Sequence, residues 1–459
     1  MQNTSTNIRF PQGLFPELRN RLLQDQSREA FALLFGKRCT VDGHTVIKVV
    51  SAHYPQAEDY DSQGLTHLRL KREYIYSKLV EMQQGFDADT LIDVHTHPFC
   101  PKDVSFSSVD DQDEIGFHGW LNDTLDNIHY ASIVLSQSDY AARLWEWQEE
   151  KSVACSARIK SQIVLENWPR AEDAEHNDPQ ELFELQHGFL ARSALALGLD
   201  TLRQVTHNQK IAIIGVGGLG SVIAENLIHS GFQDIHLIDP DRIEITNLNR
   251  IVGAYYSDAQ QNRLKVEVVK EHLQRINPNA QVVAHPVGIE DQAILPALLQ
   301  SDWFIIATDN HFSRYKTQEI ALQLGIPIIS TGVNITVEDG VIIDTSGEII
   351  IARYGDGLCL NCLGRINPTK IAAERHQGQF IGDELILRGY VSGQTVKEPA
   401  VKTLNAIVGA MAVDLLLNQY TQRQAHVPIW VYENNKQPCI YPDRESVTNR
   451  KAGCFNCES

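Results

Sequence analysis

The stretch Asp93–Asp110, DVHTHPFCPKDVSFSSVD, carries the donor types that hold a divalent metal. His95 and His97 alternate at the end of a predicted strand, so both imidazoles point to one side. Asp110 follows a loop rich in proline and serine. Two imidazoles and a carboxylate make three zinc ligands and leave a fourth position open for water, the catalytic form of such a site. Asp93 and Asp111 are rival carboxylates, and Cys100 reads as a buried or loop thiol. A second set is all thiolate: Cys359 and Cys362, then Cys454 and Cys457, in two CxxC pairs. Two matched pairs predict a closed tetrahedral zinc site, which is structural and clips the C-terminal residues back onto their domain.

The third constellation is in residues 211–250, IAIIGVGGLGSVIAENLIHSGFQDIHLIDPDRIEITNLNR. The run Ile211–Ile214 predicts a buried parallel strand. It enters a turn with Gly215, Gly217, Gly218 and Gly220, then a helix from Ser221 to about Ser230. A second strand, Ile235–Ile238, ends on Asp239. In such a βαβ unit the glycines bring backbone N–H groups against phosphate at a helix N-terminus. The acid after the second strand meets ribose hydroxyls. A lone GxGxxG also fits a nicotinamide or flavin dehydrogenase.

The residues after Asp239 argue against a dehydrogenase. LIDPDRIEITNLNR, Lys265, RINP (Arg275–Pro278) and ATDN (Ala307–Asn310) together resemble the ThiF/MoeB/HesA superfamily, which includes ubiquitin-activating enzymes. The resemblance covers residues 185–459 and implies ATP-dependent adenylation. In that reaction a carboxylate attacks the α-phosphate of ATP, pyrophosphate leaves, and cations and N–H donors surround the spreading charge. It places ATP on Gly215, Gly217, Gly218, Gly220, Asp239, Asn247, Arg250 and Lys265, and magnesium on Asp309. Asp241 reads equally as a solvated turn acid. Arg192, six residues before Gly198, matches an arginine that reaches into a partner subunit's ATP site, which implies a homodimer through this domain. The double CxxC pair recurs in bacterial members. Ubiquitin-activating enzymes carry a downstream cysteine that takes a thioester, but VSGQTVKEPAVKTLNAIVG has none. Transfer is therefore expected directly from the acyl-adenylate to a partner's thiol or sulfur donor. Cys439 is the alternative, internal acceptor. Residues 366–390 are expected to cross the substrate tail, and a last helix, Val401–Tyr420, to pack on the sheet.

The HxHP of His95–Pro98 with the SxxD of Ser107–Asp110 resembles the JAB/JAMM zinc metallopeptidase family. That family also has an upstream glutamate, and Glu29 in REAFALLFG fits its place. The resemblance implies that His95, His97 and Asp110 hold a catalytic zinc. Glu29 takes a proton from the attacking water and passes it to the leaving amine, and Ser107 steadies the oxyanion. The loop between His97 and Asp110 is about two residues longer than usual for the family. Loop-closure entropy grows slowly with length, so Asp110 can still return.

The elements that must position these groups read as α/β throughout. A helix is expected over Phe15–Phe35, with strands at His44–Ser51, Thr90–Val94, Ile128–Leu135 and Tyr140–Gln148. Residues 166–185 are rich in acids, Asn and Pro and read as a linker or exposed helix entry. A helix from Leu185 to about Leu197 follows. The expected domains are a JAB/JAMM (cytidine-deaminase-like) α/β domain at 1–160, a linker at 161–184, and a Rossmann-like ThiF-type ATP-binding domain at 185–459.

With 459 residues, two or three domains are expected. The charge of -18, from 58 acids against 40 Lys and Arg, disfavours nucleic acid and permits a protein partner with a basic face. No apolar run reaches membrane-span length, and MQNTSTNIRFPQG lacks a signal peptide's apolar core. CxxC pairs without an export signal suggest metal rather than disulfides, and a cytoplasmic protein.

Two fused activities then converge on the glycine-ended tail of a ubiquitin-like protein. The resemblance places such fusions in bacterial conjugation systems, with a separate conjugating enzyme and a link to phage defence. The alternative is activation and processing of a sulfur-carrier protein in thiamine, molybdopterin or cysteine synthesis. A third reading is adenylation that modifies a peptide.

Overall fold

FALLFGKRCTV forms a strand, β2 (Phe31–Val41), and not the second half of the helix expected over Phe15–Phe35. The helix α1 is Leu14–Leu22. After it the chain turns: Asp25 Oδ1 accepts from Ser27 N at 3.0 Å, and Oδ2 accepts from Arg28 Nε at 2.8 Å. Beyond the turn, Ala32 and Leu34 enter one core while Leu33 and Phe35 enter another. A strand buried on both faces reads as an unbroken apolar run, which periodicity cannot separate from helix.

The computed structural model describes residues 6–11, 13–41, 44–100, 104–137, 139–148, 151–161, 188–207, 209–375, 399–435, 437–454 and 457. It divides into two units, Met1–Leu182 and Phe183–Ser459. No helix among the described residues is long and apolar enough to cross a membrane.

In the first unit, β1 (Thr6–Phe10), β3 (His44–His53), β6 (Thr90–Thr96), β7 (His129–Leu135), β8 (Tyr140–Gln148) and β9 (Lys151–Ser161) join β2. They close a barrel in the order β1-β3-β2-β6-β7-β8-β9. The strands expected at His44, Thr90, Ile128 and Tyr140 are β3, β6, β7 and β8. A small hairpin, β4 (Tyr60–Gln63) with β5 (Leu68–Leu70), stands apart from the barrel. Phe15, Leu18 and Leu22 of α1 pack with Ile92 and Val94 of β6 in one core. On the other side of β6, Leu91 packs with Leu79 and Met82 of α2 (Arg72–Gly85) and Leu121 of α3 (Ser108–Thr124). Alternation along a strand puts Asp93 and His95 on the same side as Leu91, where α3 lies.

The second unit begins with α4 (Ala191–Leu197) and α5 (Leu199–His207). The start of the expected Leu185–Leu197 helix lies outside the described residues. The parallel strands are β10 (Lys210–Ile214), β11 (Asp234–Ile238), β12 (Gln281–His285), β13 (Trp303–Ile306) and the start of β14 (Ile328–Glu338). β15 (Val341–Ala352), β16 (Ile429–Glu433) and β17 (Cys439–Pro442) add antiparallel strands, in the order β12-β11-β10-β13-β14-β15-β16-β17. Ile211, Ala212 and Ile213 are fully buried, as a strand covered on both faces requires. The helices that matter for the site are α6 (Gly218–His229), α7 (Lys265–Ile276), α8 (His311–Leu324) and α9 (Lys402–Thr421). α9 is the expected last helix and packs on α6, β14 and β15. Of the expected crossing segment 366–390, residues 376–390 lie outside the described residues.

Candidate functional site

β10 and β13 are sheet neighbours, but the chain leads from β10 toward β11 and β12 and from β13 toward β14. Such a switch point opens a crevice at the carboxyl ends of the strands. The glycine turn follows β10, and Thr308 and Asp309 follow β13. The two loops touch: Gly215 has φ +92°, and a Cβ there would lie 2.8 Å from Thr308 N. A Cβ on Gly220 would lie 1.9 Å from the Gly215 carbonyl oxygen. At Gly217 a Cβ would meet nothing within 4 Å, so the turn opens there. α6 starts three residues earlier than expected. The amides of Gly218, Leu219 and Gly220 are therefore first-turn N–H groups with no carbonyl inside the helix to bond. These are the donors that a phosphate meets.

Asp239 is buried, and its carboxylate accepts from Val216 N at 2.7 Å and Asp241 N at 2.8 Å. It thereby pins the glycine turn to the end of β11. Burial pushes its pKa up, against the pull of Lys265 and the two N–H donors. Lys265 Nζ lies 2.7 Å from Asp241 Oδ2 and 4.0 Å from Asp239 Oδ1. Lys265 opens α7, where the helix dipole disfavours a cation. The two acids hold it there, beside the crevice.

The other predicted residues divide. The Arg250 side chain runs past Gly218, and its Nη1 donates to Thr246 O at 2.7 Å and Asn249 Oδ1 at 3.0 Å. Asn247 is buried, and its Oδ1 accepts from Glu244 N at 3.1 Å, so its carbonyl shapes the local turn. Asp309 is exposed next to the Thr308–Gly215 contact, and Arg192 is exposed on α4. Sequence reasoning missed Arg314, whose Nε donates to Thr308 O at 3.0 Å and Nη2 to Thr331 O at 2.9 Å. It braces the loop that carries Asp309. Its signal is an arginine one turn beyond the Asn310 cap. Asn405 of α9 was also missed, although it sits against Gly218.

In the first unit the structure gathers His95, His97 and Asp110, with ligand atoms within 4.8 Å of one another. His95 Nε2 lies 3.5 Å from Asp110 Oδ1, and His97 Nε2 lies 3.4 Å from Asp110 Oδ2. A tetrahedral ion with bonds of about 2.1 Å spaces its ligands about 3.4 Å apart. His95 Nε2 is buried without a hydrogen-bond partner, so the donor set fits zinc. Burial opposes charge on Asp110, but the two imidazoles beside it hold the carboxyl well below its usual range. Of the rivals, Asp111 Oδ1 pairs with Arg143 at 2.5 Å; Asp93 Oδ2 accepts from Tyr130 OH, while its Oδ1 is buried without a hydrogen bond, in a second group of possible ligands with His95 and Glu114.

Ser107 caps α3: its Oγ accepts from Asp110 N at 3.2 Å, and its own N–H donates to Asp110 Oδ2 at 2.6 Å. Glu29 lies in the irregular segment just before β2. Its N–H donates to Gly64 O at 2.7 Å, and its carbonyl accepts from Gln63 Nε2 at 2.7 Å. Its carboxyl is buried, which pushes the pKa up against the pull of His97 and His95.

The family model described as ThiF family matches residues 190–454. The chain belongs to the ThiF family. Among curated proteins, the adenylyltransferase and sulfurtransferase UBA4 of Meyerozyma guilliermondii is 30% identical over 153 residues, 33% of this chain and 34% of that protein. The Saccharomyces cerevisiae protein of the same name is 25% identical over 254 residues, 55% of this chain and 54% of that protein. The chain thus spans a third to about half the length of these relatives. The crystal structure of E. coli MccB with MccA-N7isoASN is 20% identical, with a TM-score of 0.46 over 60% of this chain and 76% of that chain. The ThiF match takes in the glycine turn, Asp239, Lys265 and Asp309; His95, His97 and Asp110 lie ahead of it.

The four thiols of the ThiF-family unit also converge. Cys359 Sγ lies 3.7 Å from Cys454 Sγ, and Cys457 Sγ lies 4.0 Å from Cys362 Sγ. All four are free thiols, and Zn–S bonds of about 2.3 Å put sulfurs about 3.8 Å apart. Burial pushes the Cys359 thiol up to about 12, so a cation is needed to displace its proton. Zinc held there would tie the C-terminal residues to the segment after β15. Cys454→Ser, or chelation, is expected to lower the melting midpoint by roughly 6–12 °C, the shift that about 3 kcal/mol produces in a domain near this size. An unchanged midpoint in a chain shown to have lost that metal rejects the structural role.

Proposed function

We propose that the ThiF-family unit uses ATP to adenylate the C-terminal carboxylate of a small ubiquitin-like or sulfur-carrier protein. The observation that carries this reading is Lys265, held by Asp239 and Asp241 beside an open glycine turn, inside the ThiF match. Asp239 takes the ribose hydroxyls. The amides of residues 218–220, with Lys265 and Arg250, meet phosphate oxygens whose charge grows as the carboxylate attacks and pyrophosphate leaves. Asp309 would hold magnesium, which would supply charge neutralisation to the phosphates. Arg192 from the partner in a homodimer adds a further cation. The acyl-adenylate is already activated, so transfer to an external thiol or sulfur donor needs no internal cysteine. The names of the relatives pair adenylyl transfer with sulfur transfer, which favours a sulfur carrier over a conjugated modifier. The purified chain is expected to catalyse ATP–pyrophosphate exchange only when a small protein ending in glycine is supplied. Bound nicotinamide with no dependence on ATP overturns the reading.

The trio of His95, His97 and Asp110 favours a second reading for the first unit, a zinc peptidase acting on the same kind of tail. His95, His97 and Asp110 would hold the zinc, which would supply Lewis-acid polarisation. Glu29 accepts a proton from the attacking water and returns it to the leaving amine. The Ser107 hydroxyl, an acceptor in the cap, still has its proton to donate to the oxyanion. Residues 1–160 are the proposed extent of this domain, with a linker to 184 and the adenylating domain from 185.

A further inference from the structure

Asp110 has a positioning problem that the zinc ligands themselves do not solve. It stands at the start of α3, while His95 and His97 lie at the end of β6 and just beyond it. A helix N-terminus after a long loop needs an anchor if its carboxylate is to meet two imidazoles within tenths of an ångström. The capping box of Ser107 fixes Asp110 to its own turn, but it does not fix that turn to the sheet.

The anchor is Arg143 on β8. Its Nη1 donates to Asp111 Oδ1 at 2.5 Å and its Nε to Glu114 Oε2 at 2.8 Å. Asp111 and Glu114 are three apart on α3, so they share a face and the guanidinium spans one turn. Glu114 Oε2 also accepts from Ser132 Oγ of β7 at 2.5 Å and from Trp145 Nε1 of β8 at 2.6 Å. The strand register aligns Asp93 with Ser132 and Ser132 with Arg143 across β6, β7 and β8. This row lies two residues from His95 on the same side of the sheet. The Arg143 guanidinium carbon also sits 3.7 Å from the centre of the Phe106 ring, which in turn packs against His95 at 6.0 Å between centres. Arg143 and Glu114 are both buried, at 8% and 4% exposure, so neither is a casual surface pair.

We infer that Arg143 is a positioning residue: through Asp111 and Glu114 it locks the first turn of α3 to the sheet and so sets Asp110 against His95 and His97. This rests on the zinc reading of the first unit. A lysine keeps the charge but cannot bond two carboxylates in a fixed fork.

The test is zinc affinity by chelator competition on the full chain, with Co(II) as a spectroscopic reporter. Arg143→Lys is expected to weaken zinc at His95/His97/Asp110 by about 10–100-fold and to alter the Co(II) d–d bands of that site. The thiolate site keeps its metal and serves as the internal control. Asp111→Asn, at a half-exposed side chain, removes one arm with little risk to folding and is expected to give a smaller loss of the same kind. Unchanged affinity and unchanged bands in both variants overturn the positioning role while leaving the zinc reading intact. If His97→Ala holds as much metal as the unaltered chain, the zinc reading fails and this inference fails with it.

Discussion

Lys265→Ala is expected to lower ATP–pyrophosphate exchange by about 10²–10³-fold, the loss seen when one preorganised charge-stabilising group leaves a transition state. The lysine suits such a test because its nearest partner, Asp241, is largely solvent-exposed and screened by water, while its other neighbour, the buried Asp239, lies 4.0 Å away and keeps its two backbone N–H donors. A modest drop in melting midpoint with zinc content kept is expected while exchange collapses. Asp239→Ala is a poorer test: that carboxylate also receives the Val216 N–H, so its loss disturbs the glycine turn as well as the ribose contact. Asp241→Ala separates the two acids. If Asp241 is a turn acid that only restrains Lys265, its removal should change exchange by less than about tenfold. Exchange within about threefold of normal in Lys265→Ala removes the lysine from the phosphate site.

Much of this was legible in the chain because some residues have only one physical use where they stand. Gly215 is needed by a positive φ and a 2.8 Å approach to Thr308 N, and Gly220 by the Gly215 carbonyl. A glycine turn between two apolar runs therefore announced its tight backbone, while its contact with Thr308 came only from the structure. The two CxxC pairs announced a convergence across 92 residues, from Cys362 to Cys454, because isolated pairs have little other reason to match. Burial on both faces was the illegible part. Ala32, Leu33, Leu34 and Phe35 serve two cores, and nothing in their order distinguishes that from a helix. The difference matters for Glu29, which lies outside any helix in a segment tied to the β4–β5 hairpin. Polar networks were hidden for a different reason. Arg143 and Glu114 act through partners far away in the chain, and no local spacing marks them.

Glu29→Gln is expected to remove cleavage of a carrier-protein fusion by about 10²–10⁴-fold, the range for loss of a general acid–base group. The change is close to isosteric, and the backbone contacts that hold residue 29, to Gly64 O and Gln63 Nε2, do not involve the carboxylate. Zinc content should be kept, because the ligands are His95, His97 and Asp110. Burial pushes the Glu29 carboxyl pKa up, against the pull of His97 and His95, and glutamine removes the proton-carrying group without changing the shape. His97→Ala provides the contrast, since it should lose metal and cleavage together. ATP–pyrophosphate exchange should stay within about twofold in both variants if the adenylating site is chemically separate. Equal loss of cleavage and exchange in Glu29→Gln argues against two sites. Retained cleavage assigns the proton transfer to another group. A chain that holds zinc at the histidines yet cleaves no glycine-ended fusion keeps the metal site and gives up the peptidase.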